Sequence, residues 1–222
     1  MKKKAAELEK DVNGHVVMSL KNLEKCCEEE GLYATPELND KLYLHFKGFH
    51  KIDNLLRFTE LKALWLNNNA ITTIENLSYC RQMVTLYLNN NIIKKIEGLD
   101  NLELLCILNL PHNRIERIEG LASLRKLNSL AISHNLLTTA ESLEGIGECP
   151  SVANLDLSNN EIECQEEVLT LLSQLPELAV LYLKNTPLAR GFKNYRKRFV
   201  SSLEKLKFLD ERPVNSSERR LS

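Results

Sequence analysis

The stretch Leu86-Tyr-Leu88-Asn-Asn-Asn91-Ile-Ile93, continued by Lys94-Lys-Ile96-Glu-Gly-Leu99, sets the plan of this 222-residue chain. Its pattern returns at Leu64-Trp-Leu66-Asn-Asn-Asn69-Ala-Ile71, at Leu108-Asn-Leu110-Pro-His-Asn113-Arg-Ile115 and at Leu130-Ala-Ile132-Ser-His-Asn135-Leu-Leu137, so each copy reads L-x-L-x-x-N-x-L. Starting leucines at 42, 64, 86, 108, 130, 155 and 181 give steps of 22, 22, 22, 22, 25 and 26 residues. Alternate leucines place two side chains on one face of a short strand and the intervening residues on the other. After the strand the chain turns, its backbone groups leave the ladder, and something buried must satisfy them. Asparagine offers a donor and an acceptor on a short stem, so Asn69, Asn91, Asn113, Asn135 and Asn160 are expected to form a column that bridges successive turns. Lys47 and Thr186 end that column, and there solvent is expected to take over.

A period near 22 with this internal pattern is that of a leucine-rich repeat. The expected fold is α/β: a right-handed leucine-rich repeat solenoid with a curved parallel sheet on its concave side, turns and then a helix on its convex side, and helical caps at both ends. One repeat cannot bury enough surface to fold alone, so the array needs several copies and specialised ends. Residues 1–18 read as a flexible lead-in, frayed or partly helical. Residues 19–41 read as an N-terminal helical cap, with Ser19 as N-cap, Leu20, Leu23 and Cys27 on one face and Gly31 as the stop. The repeats occupy 42–188. Within them Ala140 to Pro150 is expected to be loop, whereas Glu166 to Leu175 spaces Val168, Leu171, Leu172 and Leu175 as a helix does. Residues 189–214 form the C-terminal cap, built on one amphipathic helix from Lys193 to Leu206 with Tyr195, Phe199, Leu203 and Leu206 inward. Residues 215–222 are a polar tail.

Lysine plus arginine number 29 against 30 acids, a balance unlike the basic excess of a nucleic-acid binder. Cys26, Cys27, Cys80, Cys106, Cys149 and Cys164 fit no metal spacing and read as reduced, mostly buried thiols. Val16-Val-Met-Ser-Leu20 is too short and too late for a signal-peptide core, and no run approaches 18 apolar residues. The chain is therefore expected inside the cell, off the membrane, monomeric and without cofactor. No nucleophile elbow, phosphate-binding glycine loop, zinc spacing or paired carboxylates occur, so no catalytic residue is assigned.

Asp53, Glu75, Glu97, Glu119 and Glu141 form a second 22-residue column. It is either a stripe for a basic partner or a set of acids opening short helical turns on the convex side, with Lys94, Lys95 and Arg117 offsetting the repulsion. His112 and His134 also lie 22 apart; with no third ligand aligned they read as surface histidines rather than a metal pair.

The residues between the two leucines of each strand face outward: Tyr43, Trp65, Tyr87, Asn109, Ala131, Asp156 and Tyr182. The next outward set is His45, Asn67, Asn89, Pro111, Ser133, Ser158 and Lys184. Tyr43, Trp65 and Tyr87 are expected to stack on neighbouring strands. Such a stack can simply brace the sheet. It can also be an interface hot spot, with His45, Asn67, Asn89 and Tyr182 as further partner-binding residues. Arg190, Lys193, Arg196, Lys197 and Arg198 form a basic cluster, either a solvated helix face or a patch for an acidic partner.

The 22-residue repeats resemble the subclass found in the leucine-rich regulatory subunit of protein phosphatase 1, and Tyr195-Arg196 with Leu206-Lys-Phe-Leu-Asp210 resembles the motif that closes it. The run from Leu32 to Phe49, Leu64-Trp-Leu66, Asn194-Tyr-Arg196 and Leu209-Asp-Glu-Arg-Pro-Val214 is similar to the leucine-rich domain of the dynein axonemal assembly factor 1 family, over about residues 19 to 214. Thr186 departs from that family's final asparagine, and the long C-terminal extension expected of the family does not appear: a short member, or the domain alone. The resemblance implies a non-catalytic factor that preassembles axonemal dynein arms in the cytoplasm of ciliated or flagellated cells and that also reaches the cilium or flagellum. Dynein chains or chaperone machinery would be its protein partners. The alternatives are a regulatory subunit binding a phosphatase 1 catalytic subunit, whose concave face should be rich in acids and aromatics where the two outward sets here hold one acid, Asp156, and a structural axonemal component.

Overall fold

The computed structural model describes residues 7–163 and 165–220. Seven three-residue strands recur along it: β1 (Lys41–Tyr43), β2 (Ala63–Trp65), β3 (Thr85–Tyr87), β4 (Ile107–Asn109), β5 (Ser129–Ala131), β6 (Asn154–Asp156) and β7 (Val180–Tyr182). They pair in parallel, with Leu42 opposite Leu64, then Leu86, Leu108, Leu130, Leu155 and Leu181 in turn. The second leucine position, Leu44 through Leu183, is equally closed to water. These two columns and the buried apolar residues of the turns behind them, such as Ile71, Ile74, Leu77 and Met83, stack on those of the neighbours to form one continuous apolar core; its burial is the main stabilising term.

The sheet does not stop at β7. β8 (Phe208–Leu209) adds in parallel with Leu209 opposite Leu181, and β9 (Arg212–Pro213) turns back antiparallel to it. Asp210 adopts a left-handed conformation, φ 55°. Its Oδ1 accepts the Leu183 N–H at 2.8 Å, the amide that in earlier turns reaches a carbonyl of the next strand.

The asparagine column forms as expected. Asn91 Oδ1 accepts the Ile71 N–H at 3.0 Å, while its Nδ2 donates to Leu66 O at 3.0 Å and Leu88 O at 2.9 Å. Asn113 repeats this with Ile93, Leu88 and Leu110, each at 3.0 Å, and Asn135 with Ile115, Leu110 and Ile132. Each intermediate carbonyl thus accepts from two amides, and the column is a linked ladder. The expectation for its ends needs correction. Lys47, Gly48 and Phe49 all donate backbone N–H groups to Asn69 Oδ1. Thr186 is fully buried; its hydroxyl donates to Leu183 O at 2.6 Å and accepts the Ala189 N–H at 3.1 Å. It therefore caps α3 (Pro187–Gly191) in place of solvent.

On the convex side the acids at 75, 97 and 119 do not open helices. Each precedes a left-handed residue, Asn76, Gly98 or Gly120, and only then do successive i→i+3 turns follow, such as Cys80 N–H to Leu77 O and Met83 N–H to Cys80 O. At Gly98, φ +68°, a Cβ would lie 2.3 Å from Ile74 O; no side chain fits between these turns. Lys51–Glu75 at 3.8 Å and Lys95–Glu119 at 3.6 Å offset the charge along the column. The insert expected as loop is a 3₁₀ helix, Glu141–Glu148, because Leu143 and Ile146 point into the core. α2 (Glu166–Ser173) forms as expected and buries Val168, Leu169 and Leu172.

At the N-terminus α1 (Leu20–Glu29) is capped by Ser19, whose hydroxyl accepts the Asn22 N–H, and is followed by Gly31 at φ +66°. Leu20 is not on the inward face: it is half exposed, and Asn22, Leu23, Cys26 and Cys27 are buried instead. Residues 7–18 show no helix. They are extended and tied down, because Asn22 Nδ2 donates to Glu9 O and Val17 O and Val16 bridges to Phe49.

The C-terminal helix forms within the expected stretch but is shorter than Lys193 to Leu206 at both ends. α4 (Tyr195–Ser202) begins at Asn194, which is left-handed, and α5 (Ser216–Arg220) occupies the supposed tail. Tyr195, half-buried, donates its hydroxyl to Asp210 Oδ2 at 3.3 Å, and burial holds that phenol well above the usual tyrosine range. Cys26, Cys27, Cys80 and Cys149 are buried and Cys106 partly so; burial pushes Cys27, Cys80 and Cys149 up to about 11, which keeps them as thiols. Cys164 lies outside the described residues.

Candidate functional site

Strand alternation, with inward leucines at every second position, leaves Tyr43, Trp65 and Tyr87 on the concave face of β1, β2 and β3. Their register, Tyr43 opposite Trp65 opposite Tyr87, sets the rings one strand apart. They stack: Tyr43 and Trp65 have centroids 4.6 Å apart at 28°, Trp65 and Tyr87 5.3 Å apart at 16°. All three are half-buried. The indole N–H of Trp65, the two phenol hydroxyls and the amides of Asn67 and Asn89 make no hydrogen bond among the described residues. The face is thus apolar in its rings and lined with polar groups that have no hydrogen-bond partner among the described residues.

The ring cluster extends further than the outward sets indicated. His45 meets Tyr43 edge-on at 6.4 Å and Phe46 edge-on at 5.7 Å, giving five rings in a chain from Phe46 to Tyr87. Phe46 is 71% exposed and sits at φ 55°, a left-handed conformation that costs a bulky side chain about 1 kcal/mol or more. The other repeats place Asn68, Asn90, His112, His134, Asn159 and Asn185 in that left-handed corner. A phenylalanine among them was the sequence signal for Phe46. His45 Nδ1 is buried and without a partner.

Tyr182 does not join the rings. It stands on β7, four strands beyond Tyr87, with the small side chains of Asn109 and Ala131 and the acid Asp156 between. Asp156 is engaged locally, Oδ1 accepting the Ser158 N–H and hydroxyl at 3.0 and 2.6 Å. His112 and His134 stack at 4.0 Å and 15°. Burial, then the neighbouring His112, lowers the pKa of His134. Among the described residues no group of three or more His, Cys, Asp or Glu can hold a metal ion.

The basic cluster is divided. Arg196 turns inward: its guanidinium pairs with Glu218 at 2.6 Å and donates to Leu209 O and Pro213 O. Arg198 pairs with Glu166 at 2.6 Å and lies 4.9 Å over the Phe192 ring. Arg190, Lys193 and Lys197 remain on the surface. No helix among the described residues is long and apolar enough to cross a membrane.

Two family models match, both described as leucine-rich repeats, over residues 59–101 and 105–222. "Leucine-rich repeat-containing protein ODA7" of Chlamydomonas reinhardtii is 56% identical over 205 residues, 92% of this chain and 47% of its own length. Human "Dynein axonemal assembly factor 1" is 61% identical over 202 residues, 91% of this chain and 28% of its own. The chain thus spans less than half the length of these curated relatives. Among solved structures, an internalin of Listeria monocytogenes superposes with a TM-score of 0.67 at 23% identity, covering 92% of this chain and 52% of the internalin, a likeness of fold alone.

Proposed function

Because this chain belongs to the leucine-rich repeat family, we propose that it works by binding other proteins, as a non-catalytic factor in the assembly of axonemal dynein arms in ciliated or flagellated cells. The observation that carries this reading is the 61% identity, across 91% of the chain, to a human relative named as a dynein axonemal assembly factor. The structure supplies a means: a concave face of stacked rings and unengaged amides, with Asp156 as the one acid in its two outer rows. That shortage of acids weighs against a phosphatase regulator. In this reading the factor acts in the cytoplasm, before arms reach the axoneme, and holds dynein chains or their chaperones through Trp65 and its neighbours.

Affinity capture from ciliated cells tests it, with the wild-type chain and Trp65→Ala side by side. A central hot-spot ring is worth about 2 kcal/mol or more of binding, about thirtyfold in affinity, while its loss from a half-exposed strand position costs the fold at most about 1 kcal/mol. The expected result is recovery of dynein chains or chaperones by the wild type and their loss from a variant that melts almost normally. Recovery of a phosphatase catalytic subunit without either would overturn the dynein reading. A variant that melts earlier yet captures the full set would make Trp65 a brace.

A further inference from the structure

The two ends of the sheet are finished differently. At the C-terminal end β8 continues the ladder, β9 reverses it, and Pro213, which has no N–H to offer, stands on the outermost strand; Asp210 supplies the last acceptor. This is how a sheet edge is blunted. At the N-terminal end nothing comparable exists among the described residues. β1 is the terminal strand of the order β1 to β9, and the hydrogen bonds it makes to β2 run from the even-numbered residues: Asp40 O accepts from Ala63, Leu44 N–H donates to Trp65 O, Phe46 N–H donates to Asn67 O. Backbone alternation then points the N–H and C=O groups of Lys41, Tyr43 and His45 away from the sheet, and none of these groups has a hydrogen-bond partner among the described residues. α1 packs against β1, burying Leu23, Cys26 and Cys27 and pairing its Glu29 with Lys47 at 2.9 Å, but a helix has no backbone groups free to pair with a strand.

We propose that this edge is a binding line in its own right, at which an extended segment of a partner protein adds itself to β1 as a further strand. A row of unpaired backbone donors and acceptors recognises extended peptide backbone and little else. The flanking side chains set the rest of the chemistry. Lys41 is exposed and has no ion pair among the described residues, so the segment carries an acid opposite it. Tyr43, His45 and the strained, outward Phe46 lie along the same edge, so it carries an apolar side chain there. This gives Phe46 a use its left-handed conformation otherwise lacks. The inference rests on the reading of the concave rings as a protein-docking surface and extends it round the N-terminal lip.

Amide hydrogen exchange on the full chain tests the edge first. Tyr43 and His45 should exchange within about tenfold of an unstructured amide, while Leu44, Leu66 and Leu88 are slower by about a thousandfold or more. Protection of Tyr43 and His45 in the free monomer would overturn the proposal, and so would a sedimenting dimer whose dissociation removes that protection, since a second copy would then be the occupant. The probe is a phage-displayed library of random linear peptides. Peptides it yields should be acidic and apolar, and at saturation should slow both amides by about tenfold or more. They should bind Lys41→Pro at least about tenfold less well, because proline is tolerated at the first residue of an edge strand yet removes an edge donor. If that variant does not fold, peptides N-methylated on alternate amides replace it, and should lose binding in one alternation only. Peptides that bind Lys41→Pro normally but are lost with Trp65→Ala sit on the concave face; they would sink the edge while leaving the proposed function standing.

Discussion

Asn113→Ala is expected to be among the most damaging single changes to the middle of the array. The side chain is 8% exposed, and apart from a long contact to Pro111 O at 3.5 Å its three hydrogen bonds are not equivalent. The Ile93 N–H has Asn113 Oδ1 as its acceptor at 3.0 Å; left unpaired in the core it costs about 1–3 kcal/mol. The Leu88 and Leu110 carbonyls lose one amide each but keep another, from Asn91 and Asn135, so each adds only about 0.5 kcal/mol. The total is about 2–4 kcal/mol, which for a chain of this size lowers Tm by about 4–16 °C. Far-UV circular dichroism melts with urea titrations measure it, and exposed Lys94→Ala, expected within about 0.5 kcal/mol of wild type, is the control. Asn113→Asp should be no milder than alanine: it keeps an acceptor but turns a carboxylate oxygen towards the two carbonyls that Nδ2 now serves. A melt of Asn113→Ala that overlays Lys94→Ala, or an aspartate variant clearly more stable than the alanine one, would refute the ladder as a source of stability.

Gly98→Ala should cost about 2–4 kcal/mol, because a left-handed backbone is combined with a Cβ 2.3 Å from Ile74 O, whereas Gly147→Ala, with nothing within 4 Å, should be near neutral; equal melting temperatures would contradict the close approach of those turns. Thr186→Val should lose about 1–2 kcal/mol and loosen α3 first, visible as faster amide exchange at Ala189. Arg196 holds the Glu218 carboxyl at about 2, below its ordinary 4.5. The folded value is the lower one, so the pair's stabilisation is complete above about pH 4.5 and drains away as pH falls towards about 2; Glu218→Gln should flatten that limb of the Tm–pH curve, and an unchanged limb would mean that α5 is not coupled to the cap.

The repeats were legible because each position in them answers to one physical demand. Leucine spacing set strand register to the residue, from Leu42 to Leu181, and the asparagines announced a buried ladder. The ends were harder. Lys193 to Leu206 keeps an apolar face throughout, so nothing in its periodicity marks the left-handed Asn194 that delays the helix start to Tyr195, or its stop at Ser202. Leu209 occupies the next leucine site after Leu181, yet Phe208-Leu209-Asp210 lacks the second leucine by which a strand would be recognised. α5 has no apolar stripe; it is held by the Arg196–Glu218 pair and by Arg219 donating to the Val200, Leu203 and Leu206 carbonyls, contacts invisible to a hydrophobic pattern. Similarly, Leu20 has helical spacing but faces water, because the polar Asn22 is needed inside to hold residues 9 and 17. At the candidate site the three stacked rings were readable from alternation alone. Phe46 was not, since it stands in a turn, where period-two reasoning no longer says which way a side chain points.

The change in the convex side also has a mechanical consequence. Strands are spaced at about 4.8 Å all along the concave face, but a helix with its side chains is about 10 Å across. Thin turns back the first four repeats; the 3₁₀ helix at Glu141–Glu148, then α2 and α4 back the later ones. Wider backing over equal strand spacing should fan the later strands, so the bend is expected to concentrate between β5 and β8 and to be smaller from β1 to β4. A rigid rod would lie flush along the first half and bridge the second, whereas a rounded partner would seat in the second and touch the first only at its border.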